Sequence, residues 1–250
     1  MLIQRLSWAG IKITVGKTNI LVDAMADPQA TGYDDKPFAE GLIIPAGEPA
    51  SIDYALITHR HGDHYDLPTL RMYLAPGGKV VCSRLDEERI QFHGFETVAL
   101  GLHESFQAED VSFTPVPAVD GLGDNQVSWV VEGGGKKIIH CGDTLWHGYW
   151  WKIAKSYAPF DAAFLPINGP LLNVESLQPP SGLPFALTPQ QAVIAGRILG
   201  ARLICPIHYG LLAHPGAYDE YPDAVATFVQ AAQASNTAVQ VVAPGEVLTW

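Results

Sequence analysis

Three histidines and one aspartate lie within six residues of one another in the segment THRHGDH, residues 58–64. In an extended chain residues i and i+2 point to the same side, so His59 and His61 can hold one cation together. If the chain turns at the glycine that follows, Asp63 and His64 face a second position nearby. Imidazole and carboxylate ligands suit a borderline divalent cation such as zinc. Chance is a poor explanation for this spacing, and the segment therefore predicts a metal site.

This set of residues is similar to a known signature. The spacing H-x-H-x-D-H resembles that of the metallo-β-lactamase superfamily. The segment Ile139–Thr144 resembles the later Gly-Asp-Thr segment of that family, and Pro206–Gly210 resembles its last ligand motif. An early hairpin ending in Leu21-Val22-Asp23 matches the opening strands, so the resemblance covers most of the chain. Within the superfamily the chain looks most like stand-alone metal-dependent hydrolases such as the L-ascorbate-6-phosphate lactonase.

The resemblance implies a fold, a metal content and a ligand set. The fold is of the α/β class, an αββα sandwich of two packed mixed β-sheets flanked by helices, with the metals at one edge. Two divalent cations are implied, with zinc as the first choice and manganese or iron as alternatives. Asp143 would bridge the two cations. The other ligands would be His59, His61 and Asp120 on the first metal and Asp63, His64 and His208 on the second.

One position departs from the family pattern. The family usually supplies a third histidine to the first metal, whereas the matching stretch Val116–Gly121 carries Asp120 at that place. A carboxylate ligand would harden the site and move its preference toward manganese or iron. Alternatively, Asp120 only makes a turn with the glycine that follows it. Asp124 and His103 are two further candidates for the missing ligand.

The implied centre supports hydrolysis. Two cations that share a water would lower its pKa and provide a bridging hydroxide near neutral pH, which could attack a carbonyl carbon or a phosphorus. Asp63 is suited to orient this nucleophile and to receive its proton. His147, four residues after Asp143, could hydrogen-bond the substrate or the oxyanion. Equally, it could be a structural helix residue beside the aromatic run Tyr149–Trp151.

Composition and charge restrict the partners. With 15 basic and 26 acidic residues the net charge is −11, which argues against nucleic acid because that partner requires clustered Lys and Arg. No apolar run reaches the roughly 18 residues of a membrane helix. The 3 cysteines are widely spaced and do not suggest a disulfide framework. We therefore expect a cytoplasmic protein with a small-molecule substrate, and the sequence leaves a homo-oligomer open.

Hydrophobic periodicity predicts short strands with helices between them, in one domain over residues 1–250. Two half-sandwiches would cover residues 1–110 and 111–250 approximately. Thr188–Gln191 is a helix start signal, with a capping threonine, a proline in the first turn and a glutamine three residues after the cap. The predicted strands are Ile11–Val15, Asn19–Asp23, Tyr54–Thr58, Lys79–Cys82, Thr97–Leu100, Val111–Val116, Val127–Glu132, Lys137–Cys141, Ala162–Ile167, Leu203–Ile207 and Val239–Ala243. The predicted helices are Leu67–Leu74, Asp86–Phe92, Leu145–Tyr157, Thr188–Leu199 and Asp219–Ala234.

Two long loops stand out in the sequence. Residues 24–51 are rich in proline, glycine and aspartate, and residues 168–187 contain several prolines. Loops of this length are uncommon inside a compact domain and are often functional, although a surface insertion is an equal alternative. The leading functional hypothesis is a dinuclear metal-dependent hydrolase of a small-molecule ester or lactone. The alternative is a phosphodiesterase that acts on a small or lipid-derived phosphodiester. Oxygen chemistry at a di-iron site fits less well, because diiron relatives carry Glu at the position of His61.

Overall fold

The structure of the protein is a computed structural model that describes residues 1–26, 46–211 and 214–250. Its first sheet is six-stranded, and neighbours in the sheet are also neighbours along the chain. The first three strands pair antiparallel, whereas the third to the sixth run parallel. The strands are β1 (Leu2–Arg5), β2 (Ile11–Val15), β3 (Thr18–Val22), β4 (Ile52–Leu56), β5 (Leu74–Ser83) and β6 (Thr97–Leu100).

The second sheet is also six-stranded. Its strands are β7 (Phe106–Ala108), β8 (Val111–Pro117), β9 (Val127–Gly133), β10 (Lys136–His140), β11 (Ala162–Pro166) and β13 (Ile204–Ile207). They lie in the order β13-β11-β10-β9-β8-β7, with β13, β11 and β10 parallel and the remaining pairs antiparallel. The two short strands β12 (Leu171–Leu172) and β14 (Tyr218–Asp219) form a separate antiparallel pair.

The two sheets pack face to face through one hydrophobic core. Ile13 of the first sheet and Phe113, Trp129 and Phe164 of the second are all buried in it. Strand β2 alternates between buried and half-buried residues, as expected of a strand with one face on the core. The inner layer of the fold is therefore a β-sandwich built from the alternating apolar side chains of both sheets.

Helices cover the outer face of each sheet. A second core lies between the outer face of the second sheet and its helices, and a third lies between the first sheet and its helices. This arrangement confirms the predicted αββα sandwich. No helix in the described ranges is long and apolar enough to cross a membrane. The helices are α1 (Leu67–Tyr73), α2 (Glu87–Phe92), α3 (Trp150–Tyr157), α4 (Pro189–Ile198) and α5 (Ala224–Ala234).

The carboxyl ends of β4, β8, β10 and β13 meet at one edge of the sandwich, because parallel strands of a sheet end on the same side. The two sheets are also joined there by hydrogen bonds. The backbone N–H of Val127 donates to the carbonyl oxygen of Thr58 at 3.0 Å. The indole N–H of Trp129 donates to the carbonyl oxygen of Ile57 at 2.9 Å. Loops that leave these strand ends therefore start from a rigid frame.

The predicted strand Val239–Ala243 is wrong. Val239 forms only an isolated bridge with Ile204, and no strand is present there. The chain instead leaves the sheet and crosses to β1, where the backbone N–H of Arg5 donates to the carbonyl oxygen of Glu246 at 2.9 Å. Residues 239–243 thus form no continuous ladder, and the backbone that pairs with β1 lies beyond them, at residues 245–248.

Several element boundaries differ from the prediction. Strand β5 begins at Leu74 rather than Lys79. Helix α3 begins at Trp150 rather than Leu145, because the N–H of Leu145 donates to the carbonyl oxygen of Val119 at 2.8 Å and residues 148–149 form a turn. Helix α5 begins at Ala224, since the preceding residues pair in β14. Strands β7 and β8 belong to the same sheet, so the boundary between the half-sandwiches falls before residue 106 rather than near 110.

The two predicted long loops differ in how far they can be described. Residues 27–45 of the first loop lie outside the described residues. The second loop closes on itself, because Gly169 N–H donates to Leu187 at 3.1 Å and Phe185 N–H donates to Pro170 at 2.9 Å. It also carries β12, which holds it against β14. The second loop is therefore an ordered structure beside the strand ends.

The predicted capping box at the start of α4 is present and gives a test of the fold. The side chain of Thr188 accepts from the N–H of Gln191, whose side chain accepts from the N–H of Thr188 in return. We expect Thr188→Ala to lower the free energy of unfolding by about 1 kcal/mol, because the N–H of Gln191 loses the hydroxyl that accepts from it. Thr188→Ser keeps the hydroxyl and is the matched control. Urea denaturation that gives equal stabilities for the two variants would contradict the prediction.

Candidate metal centre

The seven predicted metal ligands gather at the edge where the strands end. They form two groups, and within each group the ligand atoms lie within 4.8 Å of one another. The first group is His59, His61, Asp120 and Asp143, and the second is Asp63, His64 and His208. Side chains from residues 59 to 208 therefore meet in one place, as the resemblance implied. The role of each as a ligand stays a prediction.

The first group is centred on two imidazole rings. His59 Nε2 and His61 Nδ1 lie 2.8 Å apart, with their rings nearly perpendicular. Asp143 Oδ1 lies 3.6 Å from His59 Nε2, and Asp120 Oδ2 lies 3.7 Å from His61 Nδ1. Two nitrogens and two carboxylate oxygens thus face a common point, which is a donor set suited to a divalent cation.

The second group is equally tight. His64 Nε2 and His208 Nε2 lie 3.1 Å apart. Asp63 Oδ2 lies 3.4 Å from the first of these nitrogens and 3.3 Å from the second. Asp143 Oδ2 lies 4.0 Å from His64 Nε2, while its other oxygen faces the first group. Asp143 therefore stands between the two groups, where a bridging ligand is needed.

Each histidine of the second group is held by its outer nitrogen. His64 Nδ1 lies 2.8 Å from Asp23 Oδ2, and His208 Nδ1 lies 3.0 Å from Asn168 Oδ1. Both outer partners are oxygens that can accept the outer N–H, so the inner nitrogen of a neutral ring would present its lone pair to the centre. Hydrogen bonds of this kind are usual behind metal-binding histidines. These residues therefore fit a cation that both inner nitrogens could bind.

The first group shows the same arrangement. His59 Nδ1 lies 3.0 Å from Thr58 Oγ1, which donates its own proton to Asp23 Oδ2 at 2.6 Å. His61 Nε2 lies 2.9 Å from Asp124 Oδ2. Asp23 thus supports one histidine of each group, directly in the second group and through a threonine in the first. Asp124, a candidate for the missing ligand, contacts the outer nitrogen of His61 instead.

Close packing behind Asp143 positions its carboxylate. Gln126 Nε2 donates to Asp143 Oδ1 at 2.8 Å. A Cβ atom on the neighbouring Gly142 would lie 2.8 Å from Gln126 Nε2 and 2.8 Å from Thr58 Oγ1, and its φ is +60°. Only glycine fits at this point without displacing the groups that hold both His59 and Asp143. Steric restriction therefore explains why glycine occupies the first position of the Gly-Asp-Thr segment.

Burial and charge set the protonation of the centre. Burial lowers the pKa of His59 to about 3, against the opposing effect of Asp143, so its ring is neutral and can bind a cation. Burial also acts to lower the pKa of His64, but Asp63 and Asp23 outweigh it and raise that pKa well above its ordinary value. A cation at the second group must therefore displace a proton from this imidazole.

Asp120 combines the two roles that the sequence presented as alternatives. Its Oδ1 accepts from the N–H of Leu122 at 2.7 Å and from the N–H of Asp124 at 3.0 Å, which makes a turn. Its Oδ2 faces His61 in the first group. The carboxylate is buried, so it needs partners on both oxygens. Making the turn therefore does not prevent Asp120 from binding a cation.

Sequence reasoning missed several residues that support the centre. Trp8 is buried, its indole N–H donates to Asp63 Oδ2 at 2.9 Å, and its ring lies 4.1 Å from that of His208. No sequence signal identifies Trp8, because it is distant along the chain from every ligand. Asp23 and Asn168 each follow a strand, β3 and β11, and that placement was the one available signal.

Three residues of the centre have left-handed backbone conformations that are uncommon outside glycine. The φ angles are 58° at Trp8, 45° at Asp23 and 58° at His208. Such conformations cost free energy and persist where the surrounding structure enforces them. Here the N–H of His208 donates to the carbonyl oxygen of Trp8 at 3.1 Å, which ties two of the three together.

Two histidines considered from the sequence lie elsewhere. His147 stacks on Trp150 with ring centroids 4.0 Å apart, and burial lowers its pKa to about 4. It does not line the cleft described below, so its role toward a substrate stays a prediction without a supporting contact. His103 is exposed and its Nδ1 lies 2.9 Å from the hydroxyl of Tyr157. Of the candidates for the missing ligand, the structure brings Asp120 to the centre.

A cleft of about 270 Å³ opens over both groups. Its floor is formed by the candidate ligands, including Asp63, Asp120, Asp143 and His208. Its wall comes from the loop 168–187 and from two residues outside it. Within the described part of the chain no Lys or Arg lines the cleft. The wall consists of Leu122, Pro170, Leu172, Phe185, Ala186 and Tyr218.

Comparison with known proteins gives matches in sequence to a family model and to individual relatives. Residues 18–209 match a family model described as the β-lactamase superfamily domain. This range contains all seven candidate ligands. A UPF0173 metal-dependent hydrolase of Thermus thermophilus is 30% identical over 254 residues, which cover 98% of this chain and 97% of that protein. The similarity therefore extends over nearly the whole length of both proteins.

Solved structures show the same fold at lower identity. Igni18, a metallo hydrolase from the archaeon Ignicoccus hospitalis, has a TM-score of 0.70 at 20% identity and covers 100% of this chain and 97% of its own. The isothiocyanate hydrolase from Delia radicum gut bacteria has a TM-score of 0.75 at 17% identity and covers 100% and 99%. At these identities the similarity concerns the fold alone.

The support that Asp23 gives to both groups can be tested directly. We expect Asp23→Asn to weaken metal binding by about 10–100-fold, because His64 loses the carboxylate that orients its ring. Asp53→Asn is the matched control, since that carboxylate accepts a backbone N–H in the same sheet, at 2.8 Å from Asn19. Chelator competition measures the affinity of both variants. Equal affinities would show that Asp23 has no influence on the centre.

The substitution Asp120→Asn distinguishes the roles of the two carboxylate oxygens of Asp120. In Asp120→Asn the amide oxygen can still accept from the N–H groups of Leu122 and Asp124, so the turn should persist. We expect the variant to lose about one bound ion per chain, because its inward atom no longer carries charge. Asp53→Asn is the control here as well, since this carboxylate accepts the backbone N–H of Asn19 and belongs to neither ligand group. If elemental analysis finds full metal occupancy in Asp120→Asn, the role of Asp120 is to form the turn and not to bind a cation.

Proposed function

This chain belongs to the β-lactamase superfamily as a stand-alone metal-dependent hydrolase, and on that premise we propose that it uses two divalent cations to hydrolyse a small, neutral ester or lactone. The observation that carries the proposal is the pair of ligand groups with Asp143 between them. Zinc is the first choice for the cations. Manganese or iron is the alternative, because Asp120 adds a hard oxygen ligand to the first group.

The residues fit such a centre because each histidine points one nitrogen inward and has the other engaged in a hydrogen bond. The first cation would be held by His59, His61 and Asp120, the second by Asp63, His64 and His208, and both by Asp143. When bound, the cations would supply an acidified water as nucleophile and a Lewis acid for the developing negative charge.

Asp63 is the candidate for proton transfer. It lies at the floor of the cleft, and its Oδ2 accepts from the indole N–H of Trp8. This hydrogen bond fixes the plane of the carboxylate relative to the second group. A carboxylate held in this way can orient a nucleophilic water and accept its proton, provided that the reacting bond lies over the floor of the cleft.

The wall of the cleft supports a neutral substrate. Phe185, Leu172 and Leu122 present apolar surface, and burial raises the pKa of Tyr218 well above its ordinary value, so its phenol stays uncharged. A phosphate group carried away from the reacting bond would need Lys or Arg, and the described lining contains neither. A compact acyl compound with an apolar substituent fits this wall better than a phosphodiester.

The activity of one protein with the same fold supports the same substrate class. Isothiocyanates, the substrates named for the hydrolase from Delia radicum gut bacteria, are small neutral molecules with an electrophilic carbon. Nucleophilic attack on such a carbon and on an ester carbonyl has the same requirement, a water activated beside an apolar wall. This supports the substrate class that we propose, and the identity of the substrate is a separate question.

Substrate preference and metal dependence can be tested together. Protein treated with chelator should lose activity, and zinc, manganese or ferrous iron should restore it at about two ions per chain. Among matched compounds, neutral aryl esters and lactones should be cleaved faster than bis-aryl phosphodiesters and faster than lactones that carry a phosphate. Preferred cleavage of the phosphodiesters would favour the alternative, and activity that survives without any cation would overturn the proposal.

A variant of the wall gives the internal control. Phe185→Ala removes a ring from the apolar wall and so enlarges the cleft, without removing a candidate ligand. We expect KM for an ester with an apolar acyl chain to rise by roughly tenfold, because the chain loses contact with the ring. Metal content should not change. Equal KM values for wild type and variant would place the substrate elsewhere than along this wall.

A further inference from the structure

A second cavity lies behind the metal centre and has no part in the proposed reaction. It has a volume of about 310 Å³. Trp8 and Arg5 are its buried residues, and Val241 and Ala243 are exposed at its mouth. Val225 of α5 forms part of its side. The lining is therefore apolar except for one cationic side chain.

Arg5 is an unusual residue to find in such a place. Its side chain is only 4% exposed, although a guanidinium stays charged at any working pH. Burial of a charge is costly unless the charge is paired and hydrogen-bonded. Arg5 is therefore expected to have an anionic partner.

The described residues provide no such partner. Arg5 Nη1 donates to the carbonyl oxygen of Val242 at 2.7 Å and to the hydroxyl of Tyr209, whose ring lies 4.4 Å from the guanidinium carbon. Both acceptors are neutral. In the described part of the chain Arg5 forms no ion pair, and its buried Nε has no hydrogen-bond partner. The hydrogen bonds of Arg5 thus engage one nitrogen, the Tyr209 ring faces the guanidinium, and no carboxylate of the described residues pairs with the charge.

Nearby acidic groups are engaged elsewhere or are neutral. Glu220 accepts from the N–H of Gly210 at 3.1 Å, and Glu246 accepts from the N–H of Ala243 at 3.1 Å. Burial raises the pKa of the Cys205 thiol to about 12, so it carries no charge beside Arg5. The partner must therefore come from outside the described chain.

We propose that this cavity binds a small carboxylate with an apolar body, which pairs with Arg5. Arg5 is the charged residue that lines the cavity, and a guanidinium can donate two N–H hydrogen bonds to the two oxygens of a carboxylate. A single cation in an apolar lining suits a monoanion, whereas a phosphate needs more donors and more positive charge. The body of the ligand would lie against Val225 and Val241 and would reach solvent at the mouth.

This site is distinct from the catalytic cleft, although the two share a wall. Trp8 lines the second cavity and also donates to Asp63 in the metal centre. Tyr209, which contacts Arg5, directly follows the candidate ligand His208. The proposal concerns binding alone and goes beyond the hydrolytic function. It would stand even if the protein hydrolysed a different bond.

The test uses the metal-loaded protein and hexanoate as the probe. Titration calorimetry should detect one hexanoate per chain, with acetate and 1-hexanol each binding at least about tenfold more weakly, because each lacks either the body or the charge. Inorganic phosphate should not compete. Equal binding of hexanoate and 1-hexanol, or competition by phosphate, would overturn the proposal.

Two variants locate the binding. Arg5→Gln removes the charge and should weaken hexanoate binding by at least about tenfold. Because Arg5 also holds Tyr209 and Val242, Val225→Phe is the second variant. It fills the cavity from its half-buried side, leaves Arg5 in place and should also abolish binding. Unchanged affinity in Val225→Phe would overturn the proposal, even if Arg5→Gln failed to fold.

Crystals soaked with 6-bromohexanoate separate the new site from the metals, which can themselves bind carboxylates. Anomalous scattering should place the bromine near Val225 and Val241, with the carboxylate at Arg5. Bromine found only in the catalytic cleft, or nowhere, would overturn the proposal. The same crystals report the position of Trp8, which shows whether a ligand in this cavity disturbs the shared wall.

Discussion

The rest of the structure depends on one constraint, which is that four histidine nitrogens and several carboxylate oxygens face one another at short distances. Inner nitrogens of His59 and His61 lie 2.8 Å apart, and those of His64 and His208 lie 3.1 Å apart, with three carboxylates around them. Such atoms repel one another unless a proton or a cation lies between them. The surrounding fold must therefore hold them in place, which it does by hydrogen bonds to the outer nitrogens and by short connections to strand ends. The cost of assembling this set is offset when a cation binds.

The β-sandwich serves this requirement because its strands are rigid and end together. Ligands follow β4, β8, β10 and β13, and supporting residues follow β3 and β11. A site built on short connections that begin at packed strands inherits the precision of the core, which a site on a long loop would not. The left-handed backbone at Asp23 and His208 is part of the same arrangement, since the chain must turn sharply there to aim a side chain at the centre.

The residues that select the substrate differ from the residues that would bind the metals. The fold hosts many chemistries, so the ligands alone do not select a substrate. In this chain the wall of the cleft comes largely from the loop 168–187, which is held by β12 and β14. On the other side of Trp8 a second cavity surrounds the buried charge of Arg5. One tryptophan thus separates an acidic, metal-binding side from a cationic, apolar one.

Strand periodicity in the sequence indicated two packed sheets, and local spacing identified His59, His61, Asp63 and His64 as a cluster. The resemblance to a known family implied the αββα sandwich and the three remaining ligands, Asp120, Asp143 and His208. The sequence did not predict Trp8, Gln126 or the buried Arg5, whose partners lie far away along the chain. It erred at Val239–Ala243, where an apolar run suggested a strand but the backbone that pairs with β1 lies beyond it, at residues 245–248. It also presented Asp120 as either a turn residue or a ligand, whereas the two oxygens of its carboxylate face different partners. Which distant groups meet, and which atom of each faces inward, was decided only by tertiary packing.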